Sequence, residues 1–212
     1  MFKSRQIFNF DFLFDDISNK YDIFDWESFN DKAKKYEVVA TDVITGESKF
    51  FDKNNCSDII SAVKASASMP VMSKMIDVEG RKYLDGGIST SIAYKRAFDV
   101  GYSKAIVVLT REEGYRKKPV NKINESIYKR YFKPLPNLVE KLMTVPERYN
   151  KMQEEMEELA KEGKLLIIRP QNKVTVQRLE HSSVKLEKLY NEGYEVGSKN
   201  IEHIKNFITL KF

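Results

Sequence analysis

Ala105-Ile106-Val107-Val108-Leu109 is apolar at every position, and it is the longest such run in the chain. A strand with apolar side chains on both faces needs cover on both faces, the pattern of a buried strand in a parallel sheet. Five residues fall far short of the roughly 18 needed to cross a bilayer. A second run, Leu165-Leu166-Ile167-Ile168, reads as another buried strand, closed by Arg169-Pro170. Ahead of the first run, Ser91 to Val100 has a helical pattern that ends at Gly101, a residue suited to the C-terminal capping role. A hairpin pattern precedes that helix: Met75 to Val78, a Glu79-Gly80 turn, then Arg81 to Leu84. Strand, helix, strand in this order argues for an α/β layered fold.

The remaining segments fit such a fold. Tyr36 to Val43 reads as a strand, Thr45 to Ser48 as a turn and Lys49 to Phe51 as the returning strand. Ser57 or Asp58 caps a helix that runs to about Ser68 and is ended by Pro70. Residues 121–132 and 136–162 read as helices, with Pro134, Pro136 and Pro146 as interruptions and Gly163 as the stop. From Ser182 the pattern is helical again, interrupted at Gly193, with a further helix running to the end. A length of 212 residues suits one core-forming domain over 1–212, with 1–120 as its α/β portion and 121–212 as a helical segment holding one more strand. Residues 1–36 contain ten of the 25 aromatics, from Phe2, Phe8 and Phe10 to Tyr36, with a short helix expected around Asp25–Lys35 and Asp25 as its N-cap. Core packing is the favoured reading of this cluster, and a flap over an acyl-binding groove the sharper one.

Composition narrows the function classes. An apolar fraction of 42% with 32% charged residues is that of a folded globular chain, not a disordered one. The aromatic stretch at the N-terminus is broken by Asn9 and Asp11 and lacks a small-residue cleavage site, so it does not read as a signal peptide. The expected location is the cytoplasm, with peripheral membrane association as the alternative. Cys56 stands alone, and His181 and His203 lie far apart, so no disulfide, metal site or cofactor is expected.

The net charge of +5 is uneven: residues 1–60 hold 8 Lys/Arg against 12 Asp/Glu, and residues 111–151 hold 11 against 5. The basic stretch includes Tyr115, Tyr128, Tyr131 and Phe132, a mixture suited to an anionic membrane surface. A solvated helical surface is its plainer reading. With no recognisable nucleic-acid module and an acidic N-terminal stretch, nucleic acid is not an expected partner.

The chain has neither a G-x-x-x-x-G-K-S/T phosphate loop nor a G-x-G-x-x-G string. It also lacks the G-x-S-x-G nucleophile elbow. The nearest string, around Ser103, lies where a helix gives way to a strand, the reverse of the required order. A triad of His181 and Asp85 would still need a serine in the elbow context. The one local string with catalytic character is Asp85-Gly86-Gly87, where a carboxylate just past a strand meets two residues without side chains. Taken alone, Asp-Gly is also an ordinary turn.

Several strings together say more. Val39-Ala40-Thr41-Asp42 with Thr45-Gly46, Ala65-Ser66-Ala67-Ser68-Met69-Pro70, Tyr83-Leu84-Asp85-Gly86-Gly87, and Ala97 to Gly101 with the strand to Leu109 resemble the patatin-like phospholipase family in order and spacing. Arg111 with Gly114-Tyr115-Arg116-Lys117, Tyr149-Asn150, and Leu189-Tyr190 with Gly193-Tyr194 look like a bacterial branch of that family. The resemblance spans roughly residues 36–200. It implies a three-layer α/β/α sandwich, here incomplete and with helical C-terminal additions. It also implies a Ser-Asp dyad that hydrolyses lipid or phospholipid esters through an acyl-enzyme. Asp85 would be the general base, with Gly86 and Gly87 shaping its turn.

The family's oxyanion loop and nucleophilic serine would lie before residue 1, so this chain is expected to be inactive alone. The expectation is then self-association or a complementing N-terminal segment. Ser91-Ile92-Ala93 departs from the proline that relatives carry there. A non-catalytic module that binds membranes or a protein partner is the alternative.

Overall fold

A computed structural model describes residues 9–10, 12–177 and 179–209. Phe2 and Phe8, and the last three residues of the expected terminal helix, lie outside the described residues. A ten-residue π-helical stretch, Phe12–Tyr21, precedes the regular elements. In chain order these are α1 (Trp26–Asn30), β1 (Glu37–Asp42), β2 (Ser48–Asp52), α2 (Ile59–Ser66), β3 (Ile76–Val78), β4 (Arg81–Asp85), α3 (Tyr94–Asp99) and β5 (Ala105–Val108). There follow α4 (Lys122–Tyr131), α5 (Pro136–Lys161), β6 (Leu165–Ile168), α6 (Ser183–Lys199) and α7 (Ile201–Thr209). The protein is mixed α/β, with two sheets among the described residues. Two compact units are each built from separated stretches: one from the described residues up to Ile92 with Lys118–Arg148, the other from Ala93–Lys117 with the described residues from Tyr149 onward.

In the first unit four antiparallel strands run in the order β2-β1-β4-β3. Alternate residues of β4 face opposite ways, as the two-residue period of a strand requires. Tyr83 joins Ala40, Phe51 and Val78 against Ala62 and Ala65 of α2. Its neighbour Leu84 joins Val43 and Ile88 against Phe132, which follows α4, and Leu138 and Leu142 of α5. This sheet is therefore covered by helix on both faces. Asp58 caps α2, its side chain accepting from the Ser61 N–H at 2.9 Å. The hairpin expected at Met75–Leu84 is present, pairing Ile76 with Tyr83 and Val78 with Arg81.

In the second unit β5 and β6 pair in parallel, from Ala105 opposite Leu165 to Val108 opposite Ile168. Leu166 and Ile168 pack with Val196 of α6, and Ile204 and Phe207 of α7 close over them. Gly163 stops α5 at φ +71, and the Lys164 N–H reaches back to the Leu159 carbonyl at 2.9 Å. That is the left-handed termination for which glycine is suited.

Five local expectations differ from what is observed. β5, expected to be a buried strand, has only Val107 buried among its four residues and Val108 is 73% exposed, since its sheet has just two strands among the described residues. Pro146 does not interrupt α5, which runs unbroken from Pro136 to Lys161. Proline at 146 withholds the N–H that would serve the Leu142 carbonyl, and Leu142 is held in the core nonetheless; one residue earlier the Lys141 carbonyl takes side-chain donors, from Arg148 at 2.8 Å and Thr144 at 3.3 Å. Gly193 does not interrupt α6. One interior glycine costs about 1 kcal/mol relative to alanine, and Val196, one turn on, is docked in the core. The break falls at Asn200, whose side chain closes on the Val196 carbonyl at 2.8 Å.

The helices expected at Asp25–Lys35 and Ser91–Val100 are one-turn pieces, Trp26–Asn30 and Tyr94–Asp99. Asp31 accepts from the Ala33 N–H, and Ser91 donates to the Gly87 carbonyl, so both segments spend a side chain on a local turn. Among the described N-terminal aromatics only Phe10 is buried. Phe24, Trp26, Phe29 and Tyr36 stack edge-to-face on one another at 4.7–6.1 Å, partly in solvent.

Candidate active site

Asp85 is the last residue of β4, opposite Ala40 of β1. Its backbone is held on both sides. The N–H donates to the Ser68 carbonyl at 2.9 Å, and the carbonyl accepts from the Thr41 hydroxyl at 2.8 Å. Thr41 and Ser68 are wholly buried. The chain then turns through one 3-10 turn, Gly86–Ile88, with the Gly87 N–H donating to Asp85 Oδ1 at 2.7 Å. The carboxylate is thereby oriented by its own turn.

The two glycines do different work. A Cβ on Gly86 would stand 2.2 Å from the Val39 carbonyl oxygen and 2.7 Å from Val39 Cγ1, so no side chain fits there. A Cβ on Gly87 would meet only the Asp85 carboxylate, at 2.9 Å. Glycine at 86 lets the turn lie against β1, and glycine at 87 leaves room for the Asp85 carboxylate to accept the Gly87 N–H.

Beneath the turn runs a chain of hydroxyls. Thr41 meets Ser89 at 2.8 Å, Ser48 reaches Ser89 at 2.9 Å, and Ser48 meets Thr90 at 2.6 Å. Ser89 is buried, and the set ties β1, β2 and the turn together. Asp42, one residue past Thr41, is buried and has a separate task. Its Oδ1 accepts from the Ile44 and Thr45 N–H groups, and its Oδ2 pairs with Arg81 at 2.6 Å. It shapes the hairpin tip at Gly46, where a Cβ would stand 2.9 Å from the Asn137 carbonyl of α5.

A cation that sequence reading did not single out closes the turn from behind. Arg148 of α5 donates through Nη1 to the Ser89 carbonyl and through Nη2 to the Ile88 carbonyl. It also reaches the Lys141 carbonyl with Nη2, and the Thr144 hydroxyl with Nε at 3.2 Å. Burial lowers its pKa from the usual arginine value, and Glu47 partly opposes that shift. No local motif marks this arginine; only its spacing of two residues from Pro146 could have drawn attention to it.

The strings quoted from three separate stretches thus meet at one place. Val39 supplies the wall against Gly86, Ala40 pairs with Asp85, Thr41 holds its carbonyl, and Ser68 receives its N–H. A second set meets within the other unit: Tyr115 packs edge-on to Tyr149 at 6.0 Å, and the Asn150 side chain clamps the Lys117 backbone at 2.8 and 3.0 Å. Ser103 is exposed in the turn between α3 and β5, and His181 is exposed just ahead of Ser182, the cap of α6. Among the described residues no three His, Cys, Asp or Glu side chains come together as a metal site, and no helix is long and apolar enough to cross a membrane.

One family model matches the chain, that of a domain of unknown function, DUF6363, over residues 135–209. The match takes in α5, β6, α6 and α7, and therefore includes Arg148. None of the curated proteins matches the chain.

Proposed function

We propose that this chain is the aspartate-bearing part of a patatin-like serine acyl hydrolase, acting on lipid or phospholipid esters. The observation that carries the reading is the Asp85 carboxylate, held by the Gly87 N–H on a turn that has no side chain at 86 or 87. A carboxylate fixed by its own turn beside a buried backbone can take the proton of a hydroxyl brought to it. In this reading the incoming serine attacks the ester carbonyl and passes its proton to Asp85. The alkoxide leaves with that proton, and water then resolves the acyl-enzyme with Asp85 again as base. In this reading the serine comes from outside these 212 residues, which contain no G-x-S-x-G string. The convergence of Val39–Thr41 and Ser68 on Asp85 supports the reading, as does the helix cover on both faces of its sheet.

The test is hydrolysis of short-chain and phospholipid esters by the complete gene product and its Asp85→Asn variant. Loss of turnover by about a hundredfold or more, with unchanged circular dichroism, is expected for a general base. Equal turnover in the variant would remove the assignment.

A second reading is favoured by one feature of α4. Ile123, Ile127 and Tyr131 are exposed at 72%, 40% and 47% and recur every four residues, so they line one face of the helix. Lys122, Lys129, Arg130 and Lys133 surround them. Such a face suits an anionic lipid surface. Ile123→Ser with Ile127→Ser is expected to abolish sedimentation with phosphatidylserine vesicles at low salt. Unaltered binding by the double variant, or equal binding to neutral vesicles, would rule this reading out.

A further inference from the structure

Arg148 sits at the far end of the same turn that carries Asp85. At one end of Gly86–Ile88 the Asp85 carboxylate accepts the Gly87 N–H; at the other, the Ile88 and Ser89 carbonyls accept from the Arg148 guanidinium. The same guanidinium holds the Lys141 carbonyl and the Thr144 hydroxyl, in the turn of α5 that leads into Pro146. One planar fork therefore joins the turn to the stretch of α5 just ahead of Pro146. We infer that Arg148 is the positioning residue of Asp85, and that the DUF6363 segment takes part in the site by supplying it.

The choice of arginine follows from geometry. Five donors in a fixed plane can satisfy carbonyls on two separate elements at once, whereas a lysine ammonium carries charge on a flexible stem without that fork. Each donor of Arg148 described here meets an uncharged oxygen, so its value lies in where it holds the backbone. The Thr90 N–H to Gly86 carbonyl bond, at 2.8 Å, closes the turn from inside, and Arg148 closes it from outside. Loosening the outer tie lets Ile88 and Ser89 shift. Gly86 cannot move toward Val39 to compensate, because no space separates them. The remaining freedom is at Gly87, whose N–H orients the carboxylate.

The experiment compares Arg148→Lys and Arg148→Met with the native chain by amide hydrogen exchange resolved at single residues. Both variants are expected to keep the protection of the β1–β2 amides while protection at Gly87 and Thr90 falls by about tenfold or more. Lysine is not expected to rescue it. In the complete gene product kcat is expected to fall by about a hundredfold with KM little changed, as for misplacement of a reacting group. Unchanged protection at Gly87 in either folded variant would overturn the inference, as would full rescue by lysine. So would a uniform loss across the whole sheet in both variants, which is the signature of a plain structural prop. The inference of a catalytic consequence rests on the reading of Asp85 as base. Exchange at Gly87 is read without turnover, so a protein that hydrolyses no ester would remove the base and leave the positioning result standing.

Discussion

Gly86 and Gly87 are neighbours of the same type, and the structure separates them. At 86 an added methyl would meet the Val39 carbonyl, a backbone group that cannot swing aside, well inside contact distance. Gly86→Ala is therefore expected to destabilise the first unit by about 3 kcal/mol or more, read as a shift in urea midpoint with an unchanged slope. Gly87→Ala meets only a side chain, so a cost below about 1.5 kcal/mol is expected, with the carboxylate displaced. Equal costs at the two positions would contradict this account of the turn.

Asp58 gives a pH-dependent counterpart. Its pKa lies below the ordinary 3.8, first because the Ser61 side chain and N–H bond its carboxylate at the start of α2. A carboxylate with a lowered folded value contributes stability above its unfolded value and loses it as pH falls through the folded one. Asp58→Ala is expected to cost about 1 kcal/mol at pH 7. The gap to the native chain should close below about pH 4, as the unfolded and then the folded carboxyl protonates. Thermal melts at pH 7 and pH 3 check this, and a gap that stays constant would exclude the cap as its source.

Among the elements, α5 shows what local reading reaches and what it does not. Its start at Pro136 and its stop at Gly163 follow from proline at a first helical position and glycine just past the end. Its passage through Pro146 does not, because burial of Leu138 and Leu142 and the Arg148 bonds to the Ile88 and Ser89 carbonyls hold it from outside the helix. The same holds at Gly193, where anchoring of Val196 in the core outweighs a weak local preference. By contrast β1, β2, β3 and β4 follow the alternation of their side chains and the Gly46 and Gly80 turns closely, and Asp85 stands at the end of its strand as the string suggests.

Helix α5 also anchors the layer that holds Arg148. Leu138 is wholly buried against Val43, Leu84 and Ile88. Leu138→Ala is expected to cost about 2–5 kcal/mol and to loosen Ile88 before α2, as read by exchange. Protection lost first in α2 would contradict this packing.

At the scale of the whole molecule, the sequence read in order gives one domain with an α/β portion over 1–120 and a helical segment over 121–212, while the two compact units each combine two separated stretches. A chain that returns to complete an earlier unit leaves no linker to mark the return, and Lys118–Arg148 is such a return. Its contribution to the Asp85 turn is invisible for the same reason. The turn at Asp85 was legible because the bond that shapes it, from the Gly87 N–H to Asp85 Oδ1, is local. Arg148 was not, because it acts across about sixty residues on carbonyls, which carry no side-chain signature.

The central claim is that Asp85 activates a serine supplied from outside these 212 residues. The most direct measurement is reaction of the complete gene product with a fluorophosphonate probe, with the adduct located by mass spectrometry in the native protein and in Asp85→Asn. The account predicts one adduct, on a serine outside this chain, and labelling slowed by about a hundredfold or more in the variant. No adduct, an adduct on a serine within these residues, or equal labelling of the two proteins would contradict it.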